Sequence, residues 1–131
     1  MKQKAILIAL ASVVLLPVLS TSAQAEWMKV DESVGASLYL DPDTIRKNGN
    51  RRTVWTLQDL KKRHKNGELS RRIRGIYDCK EERYRTLTVT THSGPMAGGE
   101  VLISETDVRP IWEDIAPDSI SNTTLKLVCA K

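Results

Sequence analysis

Glu82-Arg83-Tyr84-Arg85-Thr86-Leu87-Thr88-Val89-Thr90-Thr91-His92 is sheet sequence, and it decides the fold class. Its Thr, Val and Tyr side chains pack well on a pleated surface, and its β-branched members lose rotamer freedom in a helix. Upstream, Glu68–Cys79 reads as a second strand. Alternation puts Leu69, Arg71, Ile73 and Tyr77 on one face and Arg72 and Arg74 on the other. Further upstream, Arg52–Leu60 forms a strand with Thr53, Trp55 and Leu57 on one face and Val54 and Thr56 on the other. Asn48-Gly49 before it and Asn66-Gly67 after it are hairpin signals, because both residue types tolerate positive φ. Ala36–Leu40 alternates as a half-buried strand does. Asp41–Ile45 reads as a turn, and Glu26–Val30 as a short opening strand carrying Trp27.

Downstream of the deciding stretch, Ser93–Gly99 is a loop and Glu100–Ser104 a short strand, with Asp107–Ala116 an irregular connector containing Pro110 and Trp112. After Pro117, Asp118 or Ser119 can cap a C-terminal helix that has Ile120, Thr124 and Val128 on one face and Leu125 and Leu127 beside it. Asn122, Thr123 and Thr124 are poor helix formers, so this helix needs support from the rest of the fold. The expected class is α+β: an antiparallel meander of five or six strands with one C-terminal helix.

The chain has 131 residues, 40% of them hydrophobic, with no Phe, three Trp and three Tyr, and a net charge of +4. Lys2 and Lys4, the apolar run Ala5–Leu19 and the small residues of Ala23-Gln24-Ala25 make residues 1–25 a cleavable secretory signal. Its apolar run would cover about 22 Å as a helix, short of the roughly 30 Å bilayer core. Residues 26–131 then make one domain, too small for a multi-domain enzyme and without a transmembrane segment. No Cys sits at the cleavage point, so the expected location is periplasmic or secreted/cell-surface, and not lipid-anchored. Cys79 and Cys129 are an even pair in an oxidising compartment, where a disulfide is expected. It would close a loop of about 50 residues, worth about 4 kcal/mol on the chain-entropy account. A metal pair or a reactive thiol would need neighbours that the sequence lacks.

The catalytic inventory is thin. His64 lies in the basic stretch Lys61–Lys65 and reads as an exposed loop residue; His92 ends a strand. Two separated His and a bonded Cys pair fall short of the three or four ligands a metal needs. Asp41-Pro42-Asp43 begins like a calcium loop but meets Ile45 and Arg46 where an oxygen ligand and Gly belong. No nucleophile elbow or phosphate-cradling Gly loop is present. The adjacent carboxylates of Glu81-Glu82 and Glu113-Asp114 point apart in a strand or turn. The expectation is therefore no enzyme, no catalytic residue, no metal and no cofactor.

Charge placement is more informative. Between Arg46 and Arg85 there are 14 Lys and Arg against five Asp and Glu, and over the rest of residues 26–131 there are four against 11. A cationic strand surface built from Arg71, Arg72, Arg74, Arg83 and Arg85 would raise encounter rates with anionic partners and be screened by salt. The partner class is a protein or polyanionic glycan, with no specific nucleic acid; the oligomeric state, a dimer included, stays open. The bland alternative is that these charges solvate the sheet and blunt its strands against aggregation.

Read in order, several pieces resemble the surface-adhesin protein E family of Gram-negative bacteria. They are Trp27, Leu38-Tyr39-Leu40-Asp41 with Ile45, Val54-Trp55-Thr56-Leu57, Tyr77-Asp78-Cys79, Arg83–Thr90, Trp112 with Ile115–Ser119, and Leu127-Val128-Cys129. The resemblance implies an antiparallel sheet with a C-terminal helix held by a Cys–Cys bond. It also implies binding to host extracellular-matrix proteins, such as vitronectin and laminin, through the basic region leading into the first Cys. Arg71, Arg72 and Arg74 occupy similar positions here. The family's namesake is lipid-anchored, whereas this signal has no lipid-attachment Cys. The functional expectation is an exported, non-enzymatic binding domain that engages an anionic partner through a basic strand face. The alternative is a periplasmic envelope accessory protein with no adhesive role.

Overall fold

The computed structural model describes residues 3–5, 8–18 and 26–130. The expected cleavage motif Ala23-Gln24-Ala25 lies outside the described residues. Among the described residues no helix is long and apolar enough to cross a membrane.

Among the described residues, seven strands and one helix follow in order: β1 (Met28–Glu32), β2 (Ala36–Asn48), β3 (Arg51–Leu60), β4 (Ser70–Asp78), β5 (Arg83–His92), β6 (Val101–Thr106), β7 (Glu113–Asp114) and α1 (Ile120–Cys129). The first six form an antiparallel sheet in chain order, so each strand pairs with its sequence neighbour. β6 pairs with Thr88–His92 of β5, and β7 pairs with Arg83 and Tyr84 on the same outer edge. The expected connector 107–116 therefore ends in a short strand. Gly49 closes the β2–β3 hairpin at φ +59°, as the Asn-Gly signal required. Gly67, at φ +88°, instead shapes a longer connection, and β4 begins at Ser70 rather than Glu68.

Of the sheet's register shifts, those in β2 and β5 decide which side chains share the charged face. Asp41–Ile45 is not a free turn: β2 runs through it, with Asp41 opposite Trp55 and Arg46 opposite Thr53. Residues 42–45 bow out because Pro42 has no N–H for the ladder and local bonds replace the missing ones. Asp41 accepts from the Asp43 N–H at 3.1 Å, and the Thr44 hydroxyl donates to the Asp41 carbonyl at 2.7 Å. The same hydroxyl accepts from the Trp55 N–H at 3.0 Å, which stitches the bulge back to β3. In β5, Thr86 opposes Gly75 and Thr88 opposes Arg74, so Leu87 is the extra residue.

α1 packs across one face of the sheet against β1, β2 and β3. The Ser119 hydroxyl caps it, accepting from the Asn122 N–H at 3.2 Å, while Asp118 turns the chain at φ +59°. The helix buries Thr124, Leu125 and Val128. Ile120 and Leu127 are more than a third exposed, so the buried stripe is narrower than the periodicity suggested. Leu125 and Val128 meet Leu40, Val54, Tyr77 and Ile115, with Val30, Ile45, Tyr84 and Cys129 at the margin. Cys79, just past β4, bonds Cys129 at the helix end with their Cα atoms 5.8 Å apart. That bond ties a helix of modest intrinsic propensity to the sheet.

Candidate binding face

The other face of the sheet carries the charge. Cross-strand partners share a face, so the pairings Trp55–Arg74, Leu57–Arg72 and Arg51–Asp78 place these six side chains together. Asp78 in turn opposes Arg83, and Ile76 opposes Arg85. Arg72, Arg74, Arg83 and Arg85 thus project from the face opposite α1. The Leu87 bulge makes this so. In unbroken alternation Arg83 and Arg85 would share a face with Val89, which instead opposes Ile73 on the helix side. Arg71 goes elsewhere: it lies on the helix-side parity, and its guanidinium is held by Glu68, with Nε at 3.0 and 3.1 Å from the two carboxylate oxygens. It therefore stands apart from the other four arginines.

Two tryptophans hold Arg51, Arg72, Arg83 and Arg85 in place. The Arg72 guanidinium stacks 4.6 Å from the Trp55 ring centre. Arg51, Arg83 and Arg85 surround Trp112 at 5.1, 4.8 and 5.7 Å. Trp112 arrives there because β7, directly after it, is zipped to Arg83 and Tyr84. Stacking orients a guanidinium plane while leaving its N–H fork for another ligand. The buried Nε atoms of Arg72, Arg83 and Arg85 have no hydrogen-bond partner in this structure. Asp78 is the internal counter-charge, 3.7 Å from Arg83 and 4.0 Å from Arg51. Its carboxyl is held below the usual carboxylate range, first by the Glu81 N–H and then by the Lys80 N–H, with Arg83 and Arg51 adding to them.

Around Trp55 the β2 bulge opens two shallow depressions. One, of about 320 Å³, is lined by Thr44, Arg46, Thr53, Trp55 and Arg74. The other, of about 230 Å³, is lined by Trp27, Asp41, Thr44, Trp55 and Arg72. Sequence reasoning placed neither Arg46 nor Arg51 in the face, nor the Trp–Arg stacks. Tryptophan at alternate strand positions to arginine was the available signal, but strand register had to be known to use it.

The histidines do not form a site. His64 is half exposed, and its Nδ1 lies 2.8 Å from the buried Glu68 carboxylate. His92 is buried at the end of β5, a more enclosed place than a strand end suggested. Among the described residues no group of three or more His, Cys, Asp and Glu is placed to hold a metal ion.

The family model for surface-adhesin protein E matches residues 27–130. The chain belongs to the surface-adhesin protein E family. Solved structures agree on the fold of this adhesin domain. Crystal form II of Haemophilus influenzae protein E matches at a TM-score of 0.62 with 14% identity, covering 84% of this chain and 91% of that one. A second Haemophilus influenzae protein E structure matches at 0.63 with 13% identity, covering 84% and 88%. Protein E from non-typeable Haemophilus influenzae matches at 0.60 with 14% identity, covering 84% and 79%. No curated protein sequence matches the chain. At such identities the likeness is one of fold, and the domain is a surface-adhesin-like one.

Proposed function

We propose that this adhesin-family domain is an exported, non-enzymatic binding module that engages an anionic partner, a host matrix protein or glycan, through the arginine face opposite α1. The observation that supports this most is the co-facial set Arg72, Arg74, Arg83 and Arg85: the β5 bulge turns Arg83 and Arg85 to the side of Arg72 and Arg74, Trp55 holds Arg72, and Trp112 holds Arg83 and Arg85. Solvating charges alone have no need of fixed orientation, whereas a binding face gains from it, because less side-chain entropy is lost on contact.

Replacing Arg72 and Arg74 by Ser tests the reading. Arg74 is exposed and Arg72 is half-buried over Trp55, so the double variant should fold, with a stability change of roughly 1 kcal/mol or less. It should leave immobilised heparin or an acidic matrix protein at clearly lower salt. Arg109→Ser removes a cation paired with Glu113 at 2.6 Å, outside the face, and should elute with wild type. A double variant that coelutes with wild type sinks the proposal. Protease treatment of intact cells separates the two settings: a protein left untouched would favour the periplasmic accessory role.

A further inference from the structure

Trp55 borders both depressions beside the β2 bulge, and the two differ in chemistry. On one side stand the cations Arg46 and Arg74 with Thr44 and Thr53. On the other, Trp27, Asp41 and Arg72 line the wall, with the Arg72 guanidinium over Trp55. Asp41 is 5% exposed and lies at the start of the bulge, which the Thr44–Trp55 bond holds rigid. A simple anion trap needs neither an aromatic wall nor a carboxylate, and Asp41 would weaken one. A sugar ring uses both: its C–H face lies flat on an indole, and its hydroxyls donate to a carboxylate and accept from a guanidinium. An acidic substituent on that ring or its neighbour would then meet Arg46 and Arg74, since planar guanidinium forks suit sulfate and carboxylate oxygens.

We propose that the paired depressions around Trp55 form a subsite for an acidic saccharide unit. The ring is carried by Trp27, Asp41 and Arg72, and its sulfate or carboxylate by Arg46 and Arg74. The proposal rests on the anionic-partner reading above and narrows it to a glycan, adding Trp27, Asp41 and Arg46 to the residues involved.

Titration of the full-length exported protein with a sulfated oligosaccharide, its desulfated form and a sulfated polymer that contains no sugar separates the two ideas. The subsite predicts that Trp27→Ala weakens the sulfated oligosaccharide about tenfold or more while leaving the sugar-free polymer within about twofold. Trp27→Phe should recover most of the loss, since it restores an aromatic wall. For wild type, a residual affinity for the oligosaccharide should persist in high salt, where the sugar-free polymer is released. Equal binding of oligosaccharide and polymer at every salt concentration, or no effect of Trp27→Ala on the oligosaccharide, overturns the saccharide subsite. Either result leaves the anionic-partner reading standing. If neither polyanion binds wild type, both readings fall. A carboxylated oligosaccharide without sulfate distinguishes the two substituents. Because the wild-type comparison needs no substitution, the proposal remains testable even if a Trp27 variant does not fold.

Discussion

His92 faces Ser70 across β4 and β5, is 6% exposed, and has neither ring nitrogen hydrogen-bonded. Burial, and then the neighbouring Arg72 charge, push its pKa below the ordinary value of 6.5. The folded state therefore disfavours the imidazolium, and the unfolded chain binds the proton first. Stability from this residue is complete above about pH 6.5 and is lost as pH falls below it. Denaturation midpoints should accordingly decline between about pH 7 and 5, and His92→Leu should flatten that part of the curve. An unchanged slope in the variant would place the effect elsewhere. Glu68 acts with the same sign, its folded-state pKa also being lowered, but in a more acidic window. It is 1% exposed, and Arg71 above all, with His64, holds its carboxyl below the usual range. Its contribution is present above its unfolded value of about 4.5 and is lost as pH falls through the lowered one. The acid limb below about pH 4 should thus survive in His92→Leu and weaken in Glu68→Gln, at a cost of about 2 kcal/mol at neutral pH. Neither residue's surroundings were legible in the sequence, because each depends on a partner set by folding: Glu68 on how the 61–69 connection curls, and His92 on its pairing with Ser70.

At the scale of elements, α1 is the part that local chemistry supports least. Its Asn-Thr-Thr stretch favours caps and turns over helix interiors. The Ser119 cap matters correspondingly: its hydroxyl donates to the Ala116 carbonyl at 2.6 Å and accepts from the Asn122 N–H. Ser119→Ala should lower the unfolding free energy by about 1 kcal/mol, read as a shift in urea midpoint with an unchanged slope. An unaltered midpoint would mean that the disulfide and core contacts alone set the helix start. The strands divide in a similar way. β3 keeps one register with β4 from Arg51–Asp78 to Asp59–Ser70, so simple alternation assigned its faces correctly. β5 does not, since Leu87 interrupts the parity, and alternation alone gives the wrong companions to Arg83 and Arg85. A bulge leaves little trace in residue type, because the extra residue is an ordinary Leu and the cause lies in how two strands must bend together.

At the scale of the molecule, one thin helix covers part of one sheet face, and the core is correspondingly small. The Cys79–Cys129 bond spans 50 residues of sequence and should contribute about 4 kcal/mol through the unfolded chain. That is a large share of the stability of a domain this size. Reduction should lower the melting temperature by on the order of 15–30 °C. Alkylation of the unreduced protein should label no thiol. Free thiols in freshly prepared material, or a melting temperature indifferent to reduction, would contradict this account. Sequence by itself determined the strand content, the helix, the pairing of the two cysteines and the polarity of charge along the chain. These rest on local propensity, on residue counts and on a period of two. Alternation already set Arg71 apart from Arg72 and Arg74; tertiary structure alone decided that Arg83 and Arg85 join the latter pair and that Arg71 is held by Glu68. It alone brought Trp27, Trp55 and Trp112 to that same surface. The physical reason is that a face is a property of register: one extra residue in β5 and three in β2 re-aim every side chain beyond them, and only the pairing of whole strands fixes where those residues are spent.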